Sequence, residues 1–110
     1  MYLPEVRENH CLWREKELKC IDPKIFYLIR ITDRYCEFQS KSTKHYWILL
    51  KQPFNVENAP ICIYHKHLKH LFYHRHWKAY NMKQAIESIK GHDKYVMEQE
   101  LFGKIQGNKI

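Results

Sequence analysis

The chain reads as an α+β protein: an antiparallel meander of about five strands with a C-terminal helix, kinked or in two pieces, packed on one face. Three observations predict this. At 110 residues, 45% hydrophobic and 15% aromatic, the chain has material for one packed core but not for two. Between residues 25 and 79 short β-branched and aromatic runs follow one another with a period of two. At Asn81 the period changes to that of a helix. The expected organisation is one domain over 1–110: a short helix or ordered arm over 1–24, a sheet over 25–79, helix over 81–102, and a fraying tail over 103–110.

From Pro4 to Cys20 only Val6, Leu12, Trp13 and Leu18 stand out as apolar among charged residues, which predicts a short helix or arm ended by Ile21-Asp22-Pro23. The run Ile25 to Thr32 is apolar on both faces and predicts a central strand. After a turn at Asp33-Arg34, Tyr35 to Gln39 alternates, with Cys36 and Phe38 on one side. The polar stretch Ser40 to Lys44 lacks the glycines of a phosphate-binding loop and reads as a hairpin turn. A third strand, His45 to Lys51, sets Tyr46, Ile48 and Leu50 against Trp47 and Leu49. Pro53 to Pro60 is the longest loop. Ile61 to His67 and Leu71 to Ala79 then predict a hairpin with a short connection through Leu68, Lys69 and His70.

Asn81 with Gln84 three residues on resembles a capping box, and Ala85, Ile86 and Ile89 recur at helical spacing. Gly91 predicts a left-handed cap, with Asp93 capping a restart that carries Tyr95, Val96, Met97 and Leu101. Trp13 and Trp47 are expected in the core; Trp77, among cations, has a reason to face a ligand.

Composition excludes wholesale disorder, and no run approaches the roughly 18 apolar residues of a membrane span. Met1 is followed by no basic and apolar leader, so a soluble cytoplasmic protein is expected, with Cys11, Cys20, Cys36 and Cys62 as reduced thiols. No nucleophile elbow, dinucleotide fingerprint or Cys-x-x-Cys pair is present, which weighs against the common enzyme classes, and no cofactor is implied.

The net charge of +7 is unevenly held. Over residues 1–24 five basic side chains meet five acidic ones, whereas His65 to Lys94 carries seven lysines and arginines against Glu87 and Asp93 alone. Clustered cations release counterions when they meet phosphates, so an anionic partner is expected, nucleic acid first. Five of the eight histidines lie between His65 and His76, as His65-x-His67, His70 and His74-x-His76. On a strand, residues two apart share a face. A two-residue loop at Lys69-His70 would pair His65 with His74, His67 with Phe72 and Ile63 with His76, gathering four imidazoles on one face, whereas a three-residue loop would place the two doublets on opposite faces.

Three chemistries fit such a hairpin. In nucleic-acid binding, the leading reading, Lys66, Lys69, Arg75, Lys78 and Lys83 contact phosphates while Tyr73 and Trp77 stack on bases, with Tyr64 and Tyr80 as further aromatics. The nucleic acid could be RNA or DNA, and regulation of a nucleic-acid-handling protein is the variant of the same role. In the second reading two of His65, His74 and His76 serve a metal-independent ribonuclease as acid and base. Metal ligation by His65, His67, His74 and His76 is less favoured, because the surrounding cations repel an ion. A protein-interaction module or homodimer, using sheet edges, is the remaining class, and ordinary edge protection by charged residues competes with all of these.

Overall fold

The computed structural model describes residues 13–51 and 61–107, with side chains through residue 103. The expectations for Val6, Cys11, Leu12, the 53–60 loop and the last three residues lie outside these residues. A one-turn helix α1 (Glu15–Leu18) leads into strands β1 (Phe26–Ile31), β2 (Tyr35–Ser40), β3 (Tyr46–Lys51), β4 (Ile61–Lys66) and β5 (His74–Ala79), and the helix α2 (Met82–Gly107) closes the described chain. The five strands form one antiparallel sheet in sequence order, and α2 packs on one face of it.

The period-two pattern sorts the strands. Cys36, Phe38, Trp47, Leu49, Ile61, Ile63 and Ala79 turn toward the helix, where Met82, Ala85, Ile86 and Ile89 meet them in a continuous core. Burying these side chains is worth about 1.5–3 kcal/mol for each large one, which is what holds helix to sheet. Within that layer Trp47 Nε1 donates to Ser40 Oγ at 3.0 Å, with both side chains fully buried. The helix α1 is fastened by a half capping box, Arg14 N–H donating to Glu17 Oε1 at 2.8 Å, and by Lys51 Nζ reaching Glu17 at 2.8 Å. Burial alone would raise the Glu17 carboxyl, but the Lys51 ammonium and the Arg14 N–H outweigh it and hold the pKa below the ordinary value.

Several expectations are corrected. Ile25 to Thr32 is not the centre of the sheet: β1 is an edge strand, and after Phe26 its Tyr27, Leu28, Ile29 and Ile31 are exposed. A meander leaves its first strand with one neighbour, whatever its apolar content. The second hairpin has no two-residue loop, since β4 stops at Lys66 and β5 begins at His74. His67 and Phe72 therefore lie in the connection, where Phe72 is exposed. His65 does face His74, but a bulge follows: Tyr64 pairs with Arg75 and Ile63 with Trp77, which leaves His76 as the extra residue.

The C-terminal part is one uninterrupted helix that runs through Gly91 and on to Gly107, so Gly91 is no cap and Asp93 starts nothing. The core stripe explains the continuity, because Met82, Ala85, Ile86 and Ile89 are followed at the same spacing by His92, Asp93 and Val96. The N-terminal cap stands: Gln84 N–H donates to Asn81 Oδ1 at 2.8 Å, and Gln84 Oε1 accepts from the N–H of Tyr80 rather than of Asn81. Among the described residues no helix is long and apolar enough to cross a membrane.

Candidate functional site

Two arrangements carry chemistry, and β5 contributes to both. Its bulge presents His76 and Trp77 consecutively, His76 to the layer under the helix and Trp77 to an open cleft along the edge of the sheet. The cleft, of about 630 Å³, is lined by Arg75, His76, Trp77, Lys78, Tyr80, Gln84 and Ser88. Gln84 and Ser88 lie one helical turn apart on α2, so the cleft runs between the outermost strand and the start of the helix. Trp77 is 66% and Tyr80 59% exposed, while Trp13 and Trp47 are buried.

The residues expected to bind nucleic acid divide accordingly. Arg75, Trp77 and Lys78 line the cleft together. Lys83 is exposed on α2 next to Gln84 but is not part of the lining, and Lys69 is exposed in the β4–β5 connection. Lys66 and Tyr73 belong to the sheet face opposite the helix: Lys66 Nζ lies 4.5 Å from the Tyr73 ring centre and 5.1 Å from that of Tyr46, and donates to the Lys69 carbonyl. Tyr73 donates its hydroxyl to Glu37 Oε2 at 2.9 Å. Burial first, and then that carboxylate, push its pKa well above the ordinary tyrosine value. A half-buried ring held in this way packs on the sheet instead of offering a free face.

The second arrangement is a cluster of six imidazoles. His65, at the end of β4, is 2% exposed and stands at its centre, with ring-centre distances of 4.8 Å to His67, 5.4 Å to His74, 5.5 Å to His76 and 4.7 Å to His92. Its Nε2 lies 3.0 Å from Nδ1 of His45. The ring of His67 stacks on that of His45 at 4.3 Å and 11°. Trp47 forms the floor, 4.3 Å from the His65 ring. Burial, and then the neighbouring imidazoles of His92, His45, His67 and His76, depress the pKa of His65 to about 3. His45 is lowered by burial and by His67 and His92, against a partial opposing effect of Asp93; His76 is lowered by burial and by His92 and His74.

All four hairpin histidines thus come together, and sequence reasoning missed His45 and His92. His45 shares the parity of Trp47 on the third strand, and the β3–β4 register that pairs Trp47 with His65 sets His45 across from His67. His92 follows from the helical stripe, once Gly91 is not read as a break. Behind the cluster, Asp93 is 6% exposed, accepts a hydrogen bond from Thr43 Oγ1 at 3.1 Å, and has Oδ1 3.7 Å from Nδ1 of His92.

Of the histidines weighed as acid and base, His65 is sealed and neutral through the physiological range, whereas His74 is exposed and His76 half-buried beside the cleft. Cys20, Cys36 and Cys62 carry reduced thiols, and burial raises that of Cys36 to about 12. No protein family, curated protein or solved structure matches the chain. The functional reading therefore comes from the chemistry of the site itself.

Proposed function

We propose that the protein binds single-stranded nucleic acid along the cleft between β5 and α2. The observation that carries this reading is that two exposed aromatic residues, Trp77 and Tyr80, share one open cleft with Arg75 and Lys78. Exposed rings offer π-faces on which any base stacks, and the two cations meet the phosphates between stacked bases. A duplex keeps its base faces covered, so the strand that fits is a single one, RNA or DNA. Lys83, exposed beside Gln84, extends the positive field along the strand's path. The role is binding without turnover, and the reduced thiols suit the reducing cytoplasm as the compartment in which it works.

The test is fluorescence titration with a labelled single-stranded oligonucleotide at several salt concentrations. Because Trp77 is the exposed tryptophan among Trp13, Trp47 and Trp77, its emission reports occupancy directly. Replacing Trp77 with alanine is expected to weaken binding by about 5- to 150-fold, the loss of one stacked base. Replacing both Arg75 and Lys78 with alanine should flatten the slope of log affinity against log salt by about 1.4, roughly 0.7 for each phosphate no longer neutralised. Unchanged affinity and slope in both variants would dispose of the proposal. Cleavage of labelled RNA in the presence of EDTA, lost in His76→Gln, would replace binding by catalysis as the role of the same cleft.

A further inference from the structure

We infer that His45, His65 and His67 form a binding site for one divalent transition ion of the zinc type, with its remaining coordination position facing solvent. The three side chains each offer a ring nitrogen, and these nitrogens lie within 4.8 Å of one another. A tetrahedral zinc with Zn–N bonds of about 2.0–2.1 Å needs nitrogens about 3.4 Å apart. His45 and His65 are at 3.0 Å, and the third nitrogen, within 4.8 Å, has at most about 1.4 Å to close. It belongs to His67, which lies just beyond β4, is exposed, and has room to turn.

The placement follows from the strands. His65 lies on β4 and His67 follows just past its end, while His45 immediately precedes β3, so the β3–β4 register continued by one residue lays His45 against them. The set is thus anchored on β4 by His65, with His45 and His67 one residue off the ends of two paired strands. Imidazole nitrogen suits zinc, cobalt, nickel and copper and does not suit magnesium or calcium, which take oxygen.

The main objection to a metal here is the surrounding positive charge, and the fold directs Lys66, Arg75 and Lys78 away from the three imidazoles. Lys66 follows His65 and lies on the opposite sheet face, over the Tyr46 and Tyr73 rings. Arg75 and Lys78 line the cleft at the outer edge of β5, which β4 separates from β3 and from the His45 that precedes it. What stands near the imidazoles on the helix side is a carboxylate, Asp93, whose charge acts on His45. A hydrogen bond between two imidazoles accounts for the 3.0 Å contact of His45 with His65, but not for the third ring stacked on His45. Nor does it account for Nδ1 of His92, which is buried and has no hydrogen-bond partner among the described residues. A core built for stability alone would fill this volume with aliphatic side chains, which need no partners.

The experiment uses the full chain without a histidine tag, stripped with EDTA and then titrated with cobalt(II) and zinc(II) by calorimetry and visible absorption. One ion per chain is expected, with the intense visible band of four-coordinate cobalt, displaced by zinc. His67→Gln should lower zinc affinity by more than the ~10–100-fold that partners outside the coordination sphere contribute. His70→Gln, an exposed histidine in the same connection, should change it by no more than about 2-fold, as an indifferent surface substitution does. Because His67 is exposed, its replacement leaves the fold intact, and a matching far-UV spectrum checks this. Absence of saturable binding, a stoichiometry other than one, or equal losses in His67→Gln and His70→Gln would overturn the assignment. The titration contains no nucleic acid, and the Arg75→Ala, Lys78→Ala variant should bind zinc like the parent, so the two proposals fail separately.

Discussion

Replacing Gly91 with alanine should stabilise the protein by about 1 kcal/mol, and the sign of the effect tests how the helix and the cluster are joined. Gly91 lies inside α2 and does not have a positive φ. A Cβ built at this position meets nothing within 4 Å, so the added methyl displaces no neighbour. What remains is backbone propensity: glycine in a helix interior is about 0.8–1.0 kcal/mol less favourable than alanine, largely because it has more freedom to lose on folding. For a domain of this size that corresponds to a rise in Tm of about 4 °C or slightly more. Urea unfolding followed by far-UV circular dichroism gives the midpoint, and an unchanged m-value shows that the two states are still the same. If the helix instead broke at Gly91 in a left-handed cap, alanine would cost about 1–2 kcal/mol. A lower midpoint in Gly91→Ala would therefore refute the continuous helix. It would also remove the reason for His92 and Asp93 to face the sheet.

Two further outcomes follow from buried polar groups. Ser40→Ala leaves the indole N–H of Trp47 without its acceptor in a fully buried position and should cost about 1–3 kcal/mol. In a Trp47→Phe background the same change should cost about 1 kcal/mol less, and equal costs in both backgrounds by denaturant unfolding would rule out that bond as the cause. In chelator, stability should fall by about 2 kcal/mol between pH 7 and pH 5, because an unfolded histidine takes up a proton near 6.5 while His65 refuses one until about 3. The sign is that of a depressed base: the stabilisation is present above pH 6.5 and is lost as pH falls toward 3. His45 and His76, also lowered, act in the same direction, while His67, His74, His92 and Asp93 are the other titratable groups facing His65 and its neighbours. A flat profile over this range, or an equal fall in His65→Gln, would contradict the burial of a neutral imidazole.

The meander was legible because period-two runs and turn residues are local signals. Cys36, Phe38, Trp47 and Leu49 can be assigned to one face from the residues on either side of them. The Asn81 cap was legible for the same reason, since its bonds span only a few residues. The strand positions of Ile25 to Thr32 and of the histidine hairpin were not. Whether a strand is central or at an edge depends on which strands pair with it, and the length of the β4–β5 connection and its bulge depend on packing against α2. Gly91 shows the same limit from the other side: its intrinsic preference opposes a helix, and burial of the stripe from Met82 to Ile89 outweighs it.

By itself the sequence determined that the chain forms strands followed by a helix, that positive charge gathers after residue 65, and that histidines recur at strand spacing. Tertiary structure alone decided which of those charges and imidazoles meet. It brought His45 and His92 from outside the hairpin to His65, put Lys66 on the far side of the sheet, and set Arg75, Trp77, Lys78 and Tyr80 along one cleft at its edge. The physical reason is that periodicity is written into neighbouring residues, whereas register, strand order and helix docking are settled by burying the whole apolar surface at once.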